Sequence, residues 1–297
     1  MLNLNQEQLD TFRNVGVVIV DEVLTDDDLQ PVIDAVSEFI DRRAKELQDE
    51  EKIEALYEDE PFERRYGRIY AQCNEIAGGL DIMQLRDRRV FEFLRNDNLM
   101  DVVEDILGTG EILCNPIQHI RAKIPASAAG PGPDYYHNVP WHQDAGVTWE
   151  EADPTDIVTF WLPLVDATEE RGCMQVMTSA FRRGHLDHQK EGGTTIVPEQ
   201  LPDIDPMAAV CLKRGIIIMN KYTPHRSTTN CSEVVRWSLD LRYQPIGEPT
   251  GRPFHPAFVT RSRTNPDTVF TDHQGWCDQW VEAMESASGV NAHRTVK

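Results

Sequence analysis

The chain has 297 residues and carries 29 Lys and Arg against 50 Asp and Glu, a formal charge of −21. So acidic a chain disfavours phosphate backbones and anionic lipid, and neither nucleic acid nor a membrane is an expected partner. The apolar runs at 15–20 and 215–219 are too short to cross a bilayer, and residues 1–10 do not read as a secretory signal. The six scattered cysteines match neither a disulfide framework nor a zinc-binding spacing, which points to free thiols in a reducing cytoplasm.

Residues 15–20 are mostly β-branched and predict a short strand. Thr25-Asp26-Asp27-Asp28 has the form of a capping box, and Leu29, Val32, Ile33, Val36, Phe39 and Ile40 follow at helical spacing. The charge-dense stretch 41–60 reads as a solvated helix face and loop. Another helix is expected at 99–107, closed by Gly108. From about residue 111 the pattern changes to short strands between turn residues. The candidates are 112–124, 156–166, 173–178, 194–198, 208–212, 215–220 and 234–243, a spacing that suggests a sandwich or jelly roll.

Two of these segments alternate clearly. Val235, Trp237, Leu239, Leu241 and Tyr243 oppose Arg236, Ser238, Asp240 and Arg242, while Ile120, Ala122 and Ile124 oppose His119, Arg121 and Lys123. A polar strand face either meets solvent or lines the cavity of a ligand-holding barrel. The Gly-, Pro- and Ala-rich residues 126–140 form either a lid or an ordinary connection before Trp141. Selectivity is expected there, at Tyr135 and Tyr136, and in 179–193.

The sharpest chemical feature is Trp141-His142-Gln143-Asp144. In extended backbone, residues i and i+2 share a face, so His142 and Asp144 can chelate one ion. A second, distant histidine would complete the two-histidine, one-carboxylate set that leaves open positions on Fe(II). His-x-Asp alone is weak, since His185-Leu186-Asp187 repeats it. Downstream context selects the first: His225 follows an apolar strand, and Arg236 lies eleven residues later on a polar strand face. A chelated 2-oxo acid needs a cation for its far carboxylate, and arginine supplies a bidentate fork.

These segments together resemble the phytanoyl-CoA dioxygenase family of Fe(II)/2-oxoglutarate-dependent oxygenases. The similarity runs from Phe12–Val20 through Trp141–Asp144 and Arg171–Val176 to the stretch His225–Arg236. The resemblance implies a mainly β fold with a double-stranded β-helix core, jelly-roll and cupin-like, and N-terminal helices packed outside. It implies His142, Asp144 and His225 as iron ligands, with Arg236 and Ser227 on the distal carboxylate of 2-oxoglutarate and Trp161 and His119 as further co-substrate contacts. Lys123 shares the face of His119. Fe(II), 2-oxoglutarate and O2 are then the expected cofactor and co-substrates. The expected substrate is a small molecule, a metabolite or natural-product intermediate, oxidised at an unactivated C–H bond.

Two departures from the family pattern stand out. Ser179-Ala180-Phe181 replaces the usual Gly-Ser-His turn, with His185 and His188 shortly after it, on substrate or in a solvated turn. Asp144 is present where related halogenases have a small residue, which favours oxygen insertion or a similar oxidation. The expected organisation is a single domain over 1–297, with a helical flank at 1–110, a core at 111–245 and an extension at 246–297. The rival readings are a cupin-type barrel with non-redox hydrolase or isomerase activity, which would not need Arg236, and a non-catalytic binding protein.

Overall fold

The computed structural model describes residues 4–130 and 138–296. Helix α1 (Gln6–Val15) opens on an Asn5 capping box, and strand β1 (Val17–Val20) follows it directly. Helix α2 (Asp26–Asp49) starts at the Thr25 box, where the Thr25 hydroxyl accepts from the Asp28 N–H and Asp28 accepts from the Thr25 N–H. The helix runs past the expected stripe because Ala44 and Leu47 extend its buried face into the charge-dense region. Helices α3 (Phe62–Gln72), α4 (Ile82–Leu85), α5 (Arg88–Phe93) and α6 (Asp97–Leu107) complete the flank.

The expected strand at 112–124 is in fact two, β2 (Ile112–Cys114) and β3 (His119–Lys123). Pro116 falls between them and lacks the N–H that a ladder requires. The later strands are β4 (Val158–Pro163), β5 (Met174–Val176), β6 (His188–Lys190), β7 (Thr194–Ile196) and β8 (Met207–Ala209). They are followed by β9 (Ile216–Asn220), β10 (His225–Ser227), β11 (Arg236–Pro245) and β12 (Phe258–Arg261). The pairings are antiparallel. The large sheet runs β1-β9-β4-β11-β2-β12, with β3 also on β11, and a smaller one runs β10-β5-β8. A bridge between His142 and His225 extends the smaller sheet, and β7 reaches it through the Ile196 N–H donated to the Trp141 carbonyl. The result is the mainly β fold of a double-stranded β-helix with helices outside.

The register decides what each face of the large sheet does. On β11, Trp237, Leu239, Leu241 and Tyr243 are fully buried toward the helices, with Phe160, Leu162, Ile216 and Ile218 in the same core cluster. Trp237 stacks on Phe62 and meets Tyr66 edge-on at 4.9 Å, which fastens α3 to the sheet. Burying each such side chain contributes roughly 1.5–3 kcal/mol. The opposite face points into the barrel. There Arg236 pairs with Lys123, Ser238 with Arg121 and Pro163, Asp240 with His119 and Trp161, and Arg242 with Thr159. Both alternating polar faces therefore line a cavity, with Arg121 at its solvent-exposed rim. It measures about 740 Å³.

Candidate metal centre and its cavity

His142 and His225 are fixed to each other by backbone. Each donates its N–H to the other's carbonyl, at 3.0 and 2.9 Å, which sets their rings 4.1 Å apart. The Nδ1 of His142 lies 2.8 Å from the Pro140 carbonyl, and the Nδ1 of His225 lies 2.9 Å from the Thr223 carbonyl. A carbonyl only accepts, so each Nδ1 carries a proton, the arrangement that leaves Nε2 as the nitrogen for a metal. Burial first, then His225, pushes the His142 imidazole down to about 3, which keeps it in the neutral form that ligation requires.

Gln143 is extended and fully buried, and its side chain points away from the metal ligands. Its amide donates to the carbonyls of Gly184 and Tyr222, and its oxygen accepts from the Leu186 N–H. This anchor turns His142 and Asp144 to the same side, and Asp144 opens a short 3-10 turn to Val147. The ligand atoms of His142, Asp144 and His225 all lie within 4.8 Å of one another. Two imidazole nitrogens and one carboxylate oxygen suit Fe(II), and a single face of donors leaves positions open.

Asp144 is held from two sides. Thr159 donates its hydroxyl to Oδ2, and Arg242 donates to Oδ1 at 2.5 Å. Burial alone would raise the carboxyl's pKa, but Arg242, then His225 and His142, outweigh it and hold Asp144 below the usual carboxylate range. Neither Thr159 nor Arg242 was singled out in the sequence. Arg242 stood out only as one member of an alternating polar face, and its partner lies 98 positions away.

Further along the same wall lies Arg236, 4% exposed, with its guanidinium carbon 5.0 Å from the centre of the Trp161 ring. Its hydrogen-bond partner is the Ser238 hydroxyl at 3.2 Å, its Nε is buried without a partner, and no carboxylate of the described residues pairs with it. The Ser227 hydroxyl accepts from Lys123 Nζ at 2.9 Å and from the Val139 N–H at 2.8 Å. Lys123 sits across from Arg236 in the ladder, so two cations and a hydroxyl converge. His119 is on the cavity wall too, with its Nδ1 2.7 Å from Asp81, a partner the sequence did not suggest.

Other expectations fall elsewhere. His185 and His188 are not on the wall of the cavity. His188 is 1% exposed and accepts the Gln143 N–H on Nε2 at 3.0 Å, so it braces the metal motif from behind instead of sitting in a solvated turn. Its ring approaches so closely that a Cβ on Gly146 would meet it at 2.8 Å. The second His-x-Asp does not belong to the group of potential metal ligands found among the described residues, and Asp187 Oδ2 accepts from the Gln200 amide. Of the described part of the 126–140 stretch, Ala129, Asn138, Val139 and Pro140 line the cavity. Tyr135 and Tyr136 lie outside the described residues. No described helix is long and apolar enough to cross a membrane.

A double-stranded β-helix enclosing this donor set is the arrangement of a non-haem Fe(II)/2-oxoglutarate-dependent oxygenase. The chain belongs to the phytanoyl-CoA dioxygenase family, whose model matches residues 12–238. Among solved structures it is similar to the non-haem monooxygenase ThoJ at 16% identity and a TM-score of 0.61, covering 93% of this chain and 99% of that one. It is similar to the epimerase SnoN, solved with Fe3+, α-ketoglutarate and nogalamycin RO (17% identity, TM-score 0.54, 83% and 86% covered). EvdO2 from Micromonospora carbonacea var. aurantiaca matches at 17% identity and a TM-score of 0.54, over 84% and 96%. As in its family, Fe(II), 2-oxoglutarate and O2 are the cofactor and co-substrates.

Proposed function

We propose that the chain hydroxylates, or otherwise oxidises, an unactivated C–H bond of a small-molecule metabolite or natural-product intermediate, releasing succinate and CO2. In this reading His142, Asp144 and His225 hold Fe(II), which with 2-oxoglutarate and O2 supplies the oxidising power. Their imidazoles and clamped carboxylate leave one side of the ion open to the cavity. Arg236 and Ser227 take the distal carboxylate of 2-oxoglutarate, with Trp161 and the Asp81-held His119 on the flanks of that subsite. The family's chemistry and the natural-product work of neighbours such as SnoN support the substrate class.

Arg236 is the observation that carries this reading. A guanidinium buried without a carboxylate is costly, and such a group is retained where a ligand completes it. A non-redox cupin-type metal site has no use for that cation at the far end of the same cavity. Calorimetric titration of the Mn(II)-loaded protein with 2-oxoglutarate tests the assignment. Arg236→Gln is expected to weaken binding by about 100-fold, the loss typical of one partner of a buried charge pair. Unchanged affinity would remove Arg236 from the co-substrate site.

A further inference from the structure

A second arginine on the cavity wall has the same unexplained character. Arg252 is 8% exposed, and its hydrogen bond runs from Nε to the Val147 carbonyl at 2.9 Å, leaving the two terminal nitrogens of the guanidinium for the cavity. Each carboxylate on that wall is already engaged by a cation or histidine: Asp81 with His119, Asp144 with Arg242, and Asp240 with Arg242 at 3.4 Å. No carboxylate of the described residues comes within ion-pairing distance of Arg252. Burial first, and the nearby Arg242 second, push its pKa down to about 10, so what surrounds it opposes the charge and does not balance it.

The backbone holding Arg252 is fixed, not adaptable. Asn115 donates to the Thr250 carbonyl at 3.0 Å, Thr155 to the Pro249 carbonyl at 2.9 Å, and the Trp149 N–H to the Gly251 carbonyl at 2.9 Å. Gly251 has φ +71°, and a Cβ there would meet Thr148 at 2.5 Å, so the segment is pressed onto the turn that follows the metal motif. A rigid fork with two terminal nitrogens turned to the cavity matches a carboxylate bidentately, at little ordering cost. The cavity thus holds two buried guanidinium groups without carboxylates, and the co-substrate's distal carboxylate accounts for one of them.

We propose that Arg252 anchors a carboxylate of the primary substrate, so that the enzyme selects small organic acids over neutral molecules. This rests on the proposed function, in which Arg236 is taken by 2-oxoglutarate and the metal-proximal space beside Arg242 and Arg252 receives the substrate. His293, on the same wall and close enough to feel the charge of Arg252, bounds that space from the C-terminal segment.

The test is calorimetric titration of the Mn(II)-loaded protein, at saturating 2-oxoglutarate, with benzoate, benzamide and phenyl phosphate. The proposal expects benzoate to bind at least about tenfold more tightly than benzamide, a preference lost in Arg252→Gln while 2-oxoglutarate affinity stays native. Arg252→Gln is also expected to melt at or above the native temperature, because it removes a buried charge that has no counter-charge. Equal binding of benzoate and benzamide, no benzoate binding, or native benzoate binding by Arg252→Gln would each overturn it. So would tighter binding of phenyl phosphate, which would make the ligand a phosphoryl group, or a large loss of 2-oxoglutarate affinity in the variant. A sharp fall in melting temperature would make Arg252 structural. If 2-oxoglutarate fails to bind the native protein, the proposed function fails, and benzoate titration of the metal-free protein still decides Arg252.

Discussion

Arg242 and Asp144 form an ion pair of 2.5 Å in which both side chains are more than nine-tenths buried, and Asp144 is one of the three converging groups that could hold a metal ion. The pairing gives Asp144 a counter-charge when no metal is bound. It also means that a metal ion and Arg242 act on the same carboxylate.

Removing Arg242 therefore has unequal consequences in the two states. Without metal, Arg242→Met strands a buried carboxylate beside the Thr159 hydroxyl, and breaking a buried pair costs about 3–5 kcal/mol. With metal, the ion replaces the lost charge. Thermal melts with and without Mn(II) are expected to show a lower metal-free melting temperature than native, and a larger rise on adding metal. Equal rises in variant and native would show that Arg242 does not stand in for the ion.

His188 supplies a pH dependence. Burial first, then His185, pushes its imidazole down to about 4 from an ordinary 6.5, and its Nε2 must stay unprotonated to accept the Gln143 N–H. Between those values the unfolded chain binds a proton that the folded one does not. The stabilisation is thus complete above about pH 6.5 and is lost as the pH falls toward 4. Urea unfolding across that window is expected to show a shallower decline for His188→Gln, by up to about 1.4 kcal/mol per pH unit. Parallel declines would contradict the assignment.

Trp237 marks the other side of the same strand. It is fully buried between Phe62, Tyr66 and the large sheet, one residue from Arg236. Trp237→Ala is expected to cost about 3–5 kcal/mol in chemical denaturation. A loss under about 1 kcal/mol would mean that α3 does not depend on this contact.

The metal motif was legible because its information is local. His142 and Asp144 are two residues apart, and the interval from His225 to Arg236 is fixed by one turn between two strands. The alternation on β3 and β11 was equally plain, but it could not say whether the polar side faced water. That follows only from β11 lying between β3 and β4. The roles of Asp81, Thr159, Arg242 and Arg252 are not legible in the sequence, because each acts on a group that folding brings near and chain order does not. The burial of His188 depends on a missing side chain, the Cβ of Gly146, which no periodicity reveals.

The central claim is that His142, Asp144 and His225 hold Fe(II) in a form that chelates 2-oxoglutarate, with Arg236 on its distal end. Anaerobic titration of the native protein with Fe(II) and 2-oxoglutarate, followed by visible spectroscopy, tests it most directly. A weak charge-transfer band is expected in the native protein, absent in His225→Ala and requiring far more 2-oxoglutarate in Arg236→Gln. Folded, metal-loaded native protein that gives no band would contradict the account.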